Sequence, residues 1–379
     1  MKKNLVLVLN AGSSSLKYAL FEGPAKGNPP RQIHAGQVEN IGQKKSGTKA
    51  KSHETALGFI LDELAEKGYP VSDLSGAGHR VVHGGERFSF PVLVNDKVLE
   101  ELGSLEPLAP HHMPHNIGAI KILKDKAPEL PQVACFDTAF HATIPEVENR
   151  LPLPALYVRK GIRHYGFHGL NYQHVTDALP KLTGQELPAR VLIAHLGNGA
   201  SMCAVKNGSS VSTTMGFSTL DGLIMGTRSG NIDPGVLIHL MRSEGLDMES
   251  LEDLLYNKSG LLGLSGTSGN MRDLVESRTR KANFAINKYC HAAAGHAATL
   301  INNMQGLDAI VFTGGIGENA PKIRGKILDH LSWLGVRYNK KANRANQAKL
   351  ATKTSTSQIW IAPANEEANI AGQVFALLG

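Results

Sequence analysis

Two polar turns, one in each half of the chain, have the composition of phosphate-binding turns. Residues 5–20 and 190–205 each read as an apolar strand, a turn containing glycine and a second strand, with Gly12 aligned on Gly197. Turns of Gly, Ser and Asn present backbone N–H groups without side-chain bulk, which suits phosphate oxygens. Gly and Asn are also the usual residues of β-hairpins. The turns alone therefore predict either a polyphosphate held at two places or two ordinary hairpins.

Four cationic or imidazole side chains near glycines could neutralise a phosphate or a carboxylate. Arg80, His168 and Arg228 lie close to glycines in the sequence, where backbone can approach a ligand, and Lys17 follows the first turn. Phosphoryl transfer requires such charges around the migrating group. Each also has an ordinary interpretation: a loop ion pair for the arginines, a buried imidazole for His168, and an exposed strand position for Lys17.

Amide and carboxyl side chains follow three apolar strands at or near their ends. These residues are Asn10, Asp137 and Glu366. Their oxygens suit Mg²⁺, which takes one or two protein groups and keeps phosphate and water as its other ligands. Glu366 could instead be a first-turn acid that interacts with a helix dipole, and Asp137 could cap a turn.

Two other sets of potential metal ligands have simpler interpretations. His111, His112 and His115 lie around two prolines that favour a loop, with no carboxylate nearby, so we do not assign them a metal. The three cysteines are isolated in the sequence and match neither a disulfide framework nor a zinc site. We expect them to be buried packing residues.

Strands and helices alternate in both halves of the chain, which predicts an α/β protein with two similar lobes. Residues 23–53 read as a loop-rich excursion, and the glycine-rich run at 215–235 as a functional loop. Strands are predicted in both hairpins and around residues 76–82, 132–136, 309–313 and 358–362. Helices are predicted at residues 54–67, 114–126, 234–243, 247–256 and 276–305, and from Pro321 and Asn365 onward.

Length and composition indicate a soluble protein of two domains. The chain has 379 residues, 42% of them hydrophobic and 19% charged. We find no apolar run long enough for a signal peptide or a transmembrane helix, so we expect a cytoplasmic protein. The net charge of +7 suits an anionic partner. Because the basic residues are scattered, and the acid-free stretch at 340–353 lacks aromatic residues, we do not expect a nucleic-acid partner.

The chain matches neither of two common nucleotide-binding sequence motifs in full. The chain contains no P-loop sequence. GIGENA at 315–320 fits the dinucleotide pattern GxGxxA after a strand, which leaves a Rossmann fold as an alternative. That pattern expects an acidic residue about 20 positions later, where Val336 and Arg337 stand instead.

Taken together, these motifs resemble the acetate kinase family, which belongs to a superfamily with sugar kinases, actin and heat-shock chaperone ATPases. NAGSSSLKY resembles the family's first phosphate signature, and GFHGLNYQHV departs somewhat from its second. AHLGNGAS, MGTRSGNIDPG, FTGGIGEN and ANEEANIA match closely and in order over nearly the whole chain.

The resemblance implies two ribonuclease-H-like lobes from a duplicated fold, with ATP in the cleft between them. Residues 1–140 would form the N-terminal lobe, residues 141–365 the C-terminal lobe, and helix 366–379 would return to the first. The resemblance also implies a homodimer.

The same resemblance implies roles for individual residues. Asn10 and Glu366 would bind Mg²⁺ or Mn²⁺, and Arg80 the substrate carboxylate, while Asp137, His168 and Arg228 would be catalytic. The acyl group would contact Val82, His111, Phe167 and Thr219. ATP would contact Lys17, His195, Leu196, Gly197, Asn198, Gly199, Asn270, Met271, Arg272, Gly315, Ile316, Gly317, Glu318 and Asn319.

Several positions depart from the family pattern and bear on selectivity rather than on the reaction class. His111 stands where the family has leucine, Met113 where it has asparagine, Thr219 where it has proline, and Asn270 where it has aspartate. Leu170, Asn171 and Tyr172 replace Thr-Ser-His.

The sequence therefore predicts an enzyme that phosphorylates acetate with ATP. A carboxylate is already ionised near pH 7, so the protein need only bring two anions together. A kinase for propionate or another short acid is one alternative, and a non-catalytic actin-like nucleotide switch is another.

Overall fold

The computed structural model describes residues 4–23, 29–42 and 50–379. Parts of the loop-rich excursion expected at 23–53 lie outside these ranges. The chain divides into two compact units, each described by itself below. Unit 1 comprises residues 1–142, 169–174 and 365–379, and unit 2 comprises residues 143–168 and 175–364.

The strands are β1 (Leu5–Ala11), β2 (Ser15–Glu22), β3 (Arg31–Glu39), β4 (Gly76–Val81), β5 (Val92–Leu93), β6 (Gln132–Phe136), β7 (Arg190–Leu196), β8 (Ala200–Lys206), β9 (Ser209–Thr213), β10 (Ala309–Thr313) and β11 (Gln358–Ile361). The α-helices are α1 (His53–Glu66), α2 (Asp96–Ser104), α3 (Met113–Lys126), α4 (Glu146–Asn149), α5 (Ala155–Val158), α6 (Gly169–Thr183), α7 (Pro234–Ser243), α8 (Met248–Asn257), α9 (Gly260–Ser265), α10 (Met271–Glu276), α11 (Arg280–Met304), α12 (Gly314–Asn319), α13 (Pro321–His330), α14 (Lys340–Arg344) and α15 (Glu366–Leu378).

The sheet of unit 1 has the order β3-β2-β1-β4-β6-β5, and its central strands β1, β4 and β6 are buried on both faces. Side chains alternate along β1, so Leu5, Leu7 and Leu9 join one hydrophobic cluster while Val6 and Val8 join the other. The first cluster is closed by α1 and α3, and the second by α15. A strand that is apolar over successive positions, as β1 is from Leu5 to Leu9, is what two covered faces require.

Unit 2 repeats the central arrangement, with the sheet order β11-β10-β7-β8-β9. The antiparallel hairpin β7–β8 matches β1–β2, and β10 runs parallel to β7 as β4 does to β1. The predicted pair of hairpins and the mixed α/β fold are therefore confirmed. No strand or α-helix interrupts residues 214–233, so the expectation of a long loop there is confirmed.

Three expected elements differ from those observed. The long helix begins at Arg280 rather than near 276, because Thr279 accepts a hydrogen bond from Ala282 N and caps it, while α10 precedes it. The helix from Pro321 ends at His330 with Leu331 as its C-cap, and the chain continues as a 3-10 turn at Ser332–Leu334, which Gly335 ends in a left-handed conformation. His115 lies inside α3, where the adjacent proline occupies the first turn instead of making a loop.

The expectation that the cysteines are buried packing residues is confirmed. All three cysteines are free and buried. Within the described ranges, none of the helices combines the length and apolar character needed to cross a bilayer.

The buried His79 predicts a loss of stability in mild acid. Its side chain is 1% exposed, and burial lowers its pKa to about 4, although a hydrogen bond with Gln132 opposes this. The unfolded chain, with a histidine pKa near 6.5, therefore binds more protons than the native state between about pH 6.5 and 4. We expect the free energy of unfolding to fall as pH drops through that window, by at most about 1.4 kcal/mol per pH unit for this group.

Urea unfolding of the parent chain and of His79→Gln at several pH values measures this effect. The variant should have a flatter pH profile between pH 6.5 and 4, whatever its stability at pH 7. Parallel profiles for the two proteins would contradict the assignment to His79.

Candidate active site

Four polar side chains meet at one edge of the unit 1 sheet. Asn10 lies in β1, Arg80 in β4, Asp137 just after β6, and Glu366 begins α15. Strands β1, β4 and β6 are parallel neighbours, so their carboxyl ends reach the same edge. In such sheets this edge is the usual ligand site.

The Arg80 guanidinium contacts the other three side chains. Its Nη2 and Nε donate to the two oxygens of Asp137, at 2.5 and 3.2 Å. Nη1 donates to Asn10 Oδ1 at 3.3 Å, and Nε lies 3.4 Å from Glu366 Oε2. The side chain of Asp137 is fully buried, whereas that of Arg80 remains 18% exposed. Burial by itself lowers the pKa of Arg80, but the carboxylates of Asp137 and Glu366 raise it above its usual value.

Backbone contacts hold this cluster in place. Asn116 on α3 donates through Nδ2 to the carbonyl of Ala11, and its Oδ1 accepts from Val82 N, so one side chain fixes the ends of β1 and β4. Gly169 N donates to the carbonyl of Asp137. A Cβ at Gly169 would lie 2.1 Å from that carbonyl oxygen, so the approach requires glycine.

The first turn places Lys17 beside the cluster. In the β1–β2 register Lys17 pairs directly with Asn10, so the two side chains share one face of the sheet. Lys17 is exposed, and Gly12 N closes the turn by donating to Ser15 O.

A second cluster lies in unit 2. His168, in a left-handed conformation with φ 59°, places its Nδ1 2.8 Å from Ser201 Oγ, and its ring stacks on His195 with centroids 4.3 Å apart. Arg228 Nη1 donates to the carbonyl of Thr219 at 3.0 Å. A Cβ added at Gly199 would lie 3.6 Å from His168 Nε2 and 3.9 Å from Arg228 Nη1. The imidazole and the guanidinium thus converge on one glycine.

Most of the residues expected to contact ATP line a cavity of about 350 Å³ in unit 2. Its lining residues are Gly197, Asn198, Asn270, Met271, Arg272, Val275, Gly315, Ile316, Asn319, Ala320, Pro321 and Lys322. Apolar side chains and backbone form the walls, and amide and cationic groups lie among them. Such a lining suits a flat base with polar substituents.

The remaining residues of the expected ATP set do not line this cavity. They are Lys17, His195, Leu196, Gly199, Gly317 and Glu318. The Glu318 carboxylate accepts the backbone N–H groups of Gly314 and Ala364, at 2.8 and 2.9 Å. Its side chain therefore fixes the backbone of the glycine-rich segment. Gly314 has φ 78°, and a Cβ there would lie 2.9 Å from the Leu196 carbonyl oxygen, so a side chain is excluded.

The four residues expected to contact the acyl group differ in exposure. Val82, Phe167 and Thr219 are buried, at 2%, 1% and 9% exposure. His111 is exposed, and nearby Met113 is fully buried.

The roles of all these residues stay predictions, but the structure adds two supporting residues that sequence reasoning missed. Asn116 stands among apolar residues of α3, so a lone amide on an otherwise apolar helix face was the available signal. The sequence around Ser201, at the start of β8, contains no comparable signal, because serine is common next to glycine-rich turns.

Comparisons with known proteins agree with one another. The model of the acetokinase family matches residues 5–372. An acetate kinase of Methylocella silvestris is 42% identical over 98% of both chains, and one of Rickettsia prowazekii is 39% identical over 99% of this chain and all of its own. Among solved structures, a propionate kinase of Francisella tularensis has a TM-score of 0.91 at 37% identity, covering 98% of both chains. An acetate kinase of Porphyromonas gingivalis has a TM-score of 0.89 at 34% identity, covering 99% of this chain and all of that one.

Proposed function

The chain belongs to the acetokinase family, and we propose that it transfers the γ-phosphoryl group of ATP to acetate, giving acetyl phosphate and ADP. The observation that carries this proposal is the Arg80 guanidinium, partly exposed and held by a buried carboxylate at the strand ends of unit 1. Such a fork matches the carboxylate of a small acid.

The acceptor needs orientation rather than activation. Acetate is ionised at neutral pH and attacks phosphorus directly, so no residue has to remove a proton. Asp137 occupies Nε and one Nη2 hydrogen of Arg80 and fixes the plane of the guanidinium, while Nη1 donates to Asn10. The second hydrogens of Nη1 and Nη2 are then the donors that we assign to the substrate. We propose that Asp137 contributes to catalysis by holding the Arg80 guanidinium in this orientation.

The donor set at this edge fits a divalent cation. Asn10 Oδ1 and a Glu366 carboxylate oxygen both contact the Arg80 guanidinium, so an amide and a carboxylate oxygen are neighbours there. These are ligands that Mg²⁺ accepts in combination with phosphate. When bound, Mg²⁺ or Mn²⁺ would supply positive charge to the phosphate oxygens, and Asn10 and Glu366 would hold it. Lys17, on the same face as Asn10, would add charge along the triphosphate.

We assign the phosphoryl group to the unit 2 cluster. His168 and Arg228 converge on Gly199, where the absence of a side chain leaves room for equatorial phosphoryl oxygens. A fixed guanidinium and a fixed imidazole donor at that point stabilise the transition state more than the ground state. The adenosine would occupy the cavity beside Asn270, Ile316 and Asn319, with the Gly197–Asn198 turn toward the phosphates. Because ATP is the co-substrate, we propose that the enzyme works in the cytoplasm.

Trapping acyl phosphates with hydroxylamine tests the function. We expect hydroxamate from ATP and acetate, with kcat/KM falling from acetate to propionate to butyrate by at least about tenfold overall. A longer chain must displace packed side chains, which costs about 1–3 kcal/mol, and a methylene left unburied gains none of the ~0.8 kcal/mol that burial would give. Preference for propionate would favour the activity for which the Francisella relative is named. Nucleotide binding without any acyl phosphate would favour the non-catalytic switch.

The exposed apolar surface of α7 supports a homodimer. None of the residues of this helix is buried, although Val236, Ile238 and Met241 are apolar and at least 40% exposed. An apolar helix in water is expected to be covered by another surface. Arg242 and Glu244 supply both signs of charge, which a two-fold interface between identical surfaces can pair. We propose that a second copy of the chain covers α7.

Placing a charge on α7 should break this dimer. Burying an aspartate against the apolar partner surface is strongly unfavourable, so Ile238→Asp should sediment as a monomer at concentrations where the parent chain is a dimer. Trp333→Asp is the matched control, because Trp333 is 70% exposed outside α7 and should leave the dimer intact. A dimeric Ile238→Asp protein would show that the interface lies elsewhere.

A further inference from the structure

A break between two helices forms one wall of the cavity in unit 2. Helix α12 ends at Asn319, and α13 begins with Pro321, with Ala320 between them at φ −112° and ψ 80°. Residues 319–322 all line the cavity. Because Pro321 has no N–H, it cannot bond to the carbonyl four residues earlier, as a continuous helix would. The carbonyls at the end of α12 therefore need another donor.

Arg324 supplies that donor from inside the protein. Its Nη1 donates to the carbonyl oxygens of Gly317 and Glu318, both at 2.8 Å. Nε donates to Asn343 Oδ1, and Nη2 to Asn343 O and Asn346 Oδ1, at 2.7 to 2.8 Å. The side chain is 0% exposed and is the largest fully buried side chain of the described residues.

The acceptors of Arg324 are all neutral. They are backbone carbonyls and asparagine amides, and no carboxylate of the described residues is paired with the guanidinium. Burial accordingly lowers its pKa to about 10. A buried cation without a counter-ion is unfavourable for stability. Its contacts with two carbonyls directly before the cavity-lining residues 319–322 thus point to a role other than folding alone.

A second contact ties the same wall to α14. Asn343 accepts from Arg324 Nε through Oδ1 and donates through Nδ2 to the carbonyl of Pro321 at 2.8 Å. Both sides of the helix break are thus anchored, at Gly317 and Glu318 by Arg324 and at Pro321 by Asn343. The basic segment around α14 therefore has a buried structural side at Ala342 and Asn343.

We propose that Arg324 is a positioning residue for the nucleotide: it sets the helix break that shapes the wall of the cavity, without touching the ligand. This inference rests on the proposed function, because it takes the cavity to be the nucleotide site. It predicts a selective loss of nucleotide affinity when the two carbonyls of α12 lose their donor.

The test uses Arg324→Met and Arg324→Lys in the full chain. Methionine fills much of the space without donors and strands no carboxylate, while lysine keeps the charge but cannot form the planar fork. We expect Arg324→Met to raise KM for ATP and Kd for ADP by about tenfold or more, with kcat and KM for acetate within about threefold. Arg324→Lys should fall between this variant and the parent. Calorimetry with ADP alone gives a readout independent of turnover.

Arg337→Met is the matched control. Arg337 also donates to two backbone carbonyls, those of Ser332 and Val336, but it is exposed and outside the cavity lining. Its loss should leave KM for ATP unchanged. The proposal is overturned if both Arg324 variants keep the parent's nucleotide affinity, if all kinetic constants change equally, or if neither variant folds. A parent chain that neither binds ADP nor makes acyl phosphate would instead refute the proposed function.

Discussion

Arg228→Ala is expected to lower kcat by about 10³- to 10⁵-fold, the range for an arginine that stabilises a transferring phosphoryl group. The Arg228 side chain is half-buried, and its Nη1 is fixed by the carbonyl of Thr219 near His168 and Gly199. A guanidinium held beforehand needs no reorganisation when charge develops. KM for ATP should change much less, because the loss falls on the transition state rather than on ground-state binding.

Steady-state kinetics at saturating ATP and acetate measure this change. Arg228→Lys is the matched comparison, since it keeps the charge and loses the fixed fork, and it should recover only part of the rate. Added guanidinium ion should restore some activity to Arg228→Ala if the missing group acts at the phosphoryl. A folded Arg228→Ala protein with the parent's kcat would remove this residue from the mechanism.

The fold was predictable from the sequence wherever local pattern and tertiary packing agree. β1 and β7 are apolar at successive positions and are followed by glycine-containing turns, and the structure has hairpins at both places. The end of the helix from Pro321 was not predictable. Leu331 and Leu334 continue the apolar spacing, but α13 ends at His330 and a 3-10 turn at Ser332–Leu334 follows. Apolar spacing does not indicate where an α-helix changes to a 3-10 turn.

The sequence indicates which residue types belong to the candidate site, but not which of those side chains contact one another. The order of parallel strands explains why Asn10, Arg80 and Asp137 meet, since residues at the carboxyl ends of neighbouring strands share an edge. Arg324 could not be found in this way. An arginine in a surface-type helix pattern is expected to be solvated, and only the packed structure shows that this one is buried and donates to carbonyls beside the helix break.

The other large effect is expected at Arg80. We predict that Arg80→Lys raises KM for acetate by about one to two orders of magnitude, equivalent to the ~1.5–3 kcal/mol of a hydrogen bond to a charged group. A lysine ammonium could reach Asp137 or the substrate but cannot present one planar group to Asp137, Asn10 and the acid together. Kd for nucleotide measured without metal should stay within about threefold, because Arg80 is assigned to the acceptor.

A matched exchange separates this effect from the general consequence of replacing a forked arginine. Arg31 binds one Glu22 oxygen through both Nε and Nη2, but on the surface of unit 1, so Arg31→Lys should change neither KM.

Arg80→Ala tests the contribution of the same residue to stability. It removes the Arg80 cation from the fully buried Asp137, and we expect the free energy of unfolding to fall by about 3–5 kcal/mol. Asp137→Asn added to Arg80→Ala should recover part of that stability without recovering activity, because neutralising the stranded carboxylate repairs folding but not acetate binding. Recovery of acetate turnover in the double variant, or a loss of nucleotide binding with an unchanged KM for acetate in Arg80→Lys, would show that Arg80 serves another step.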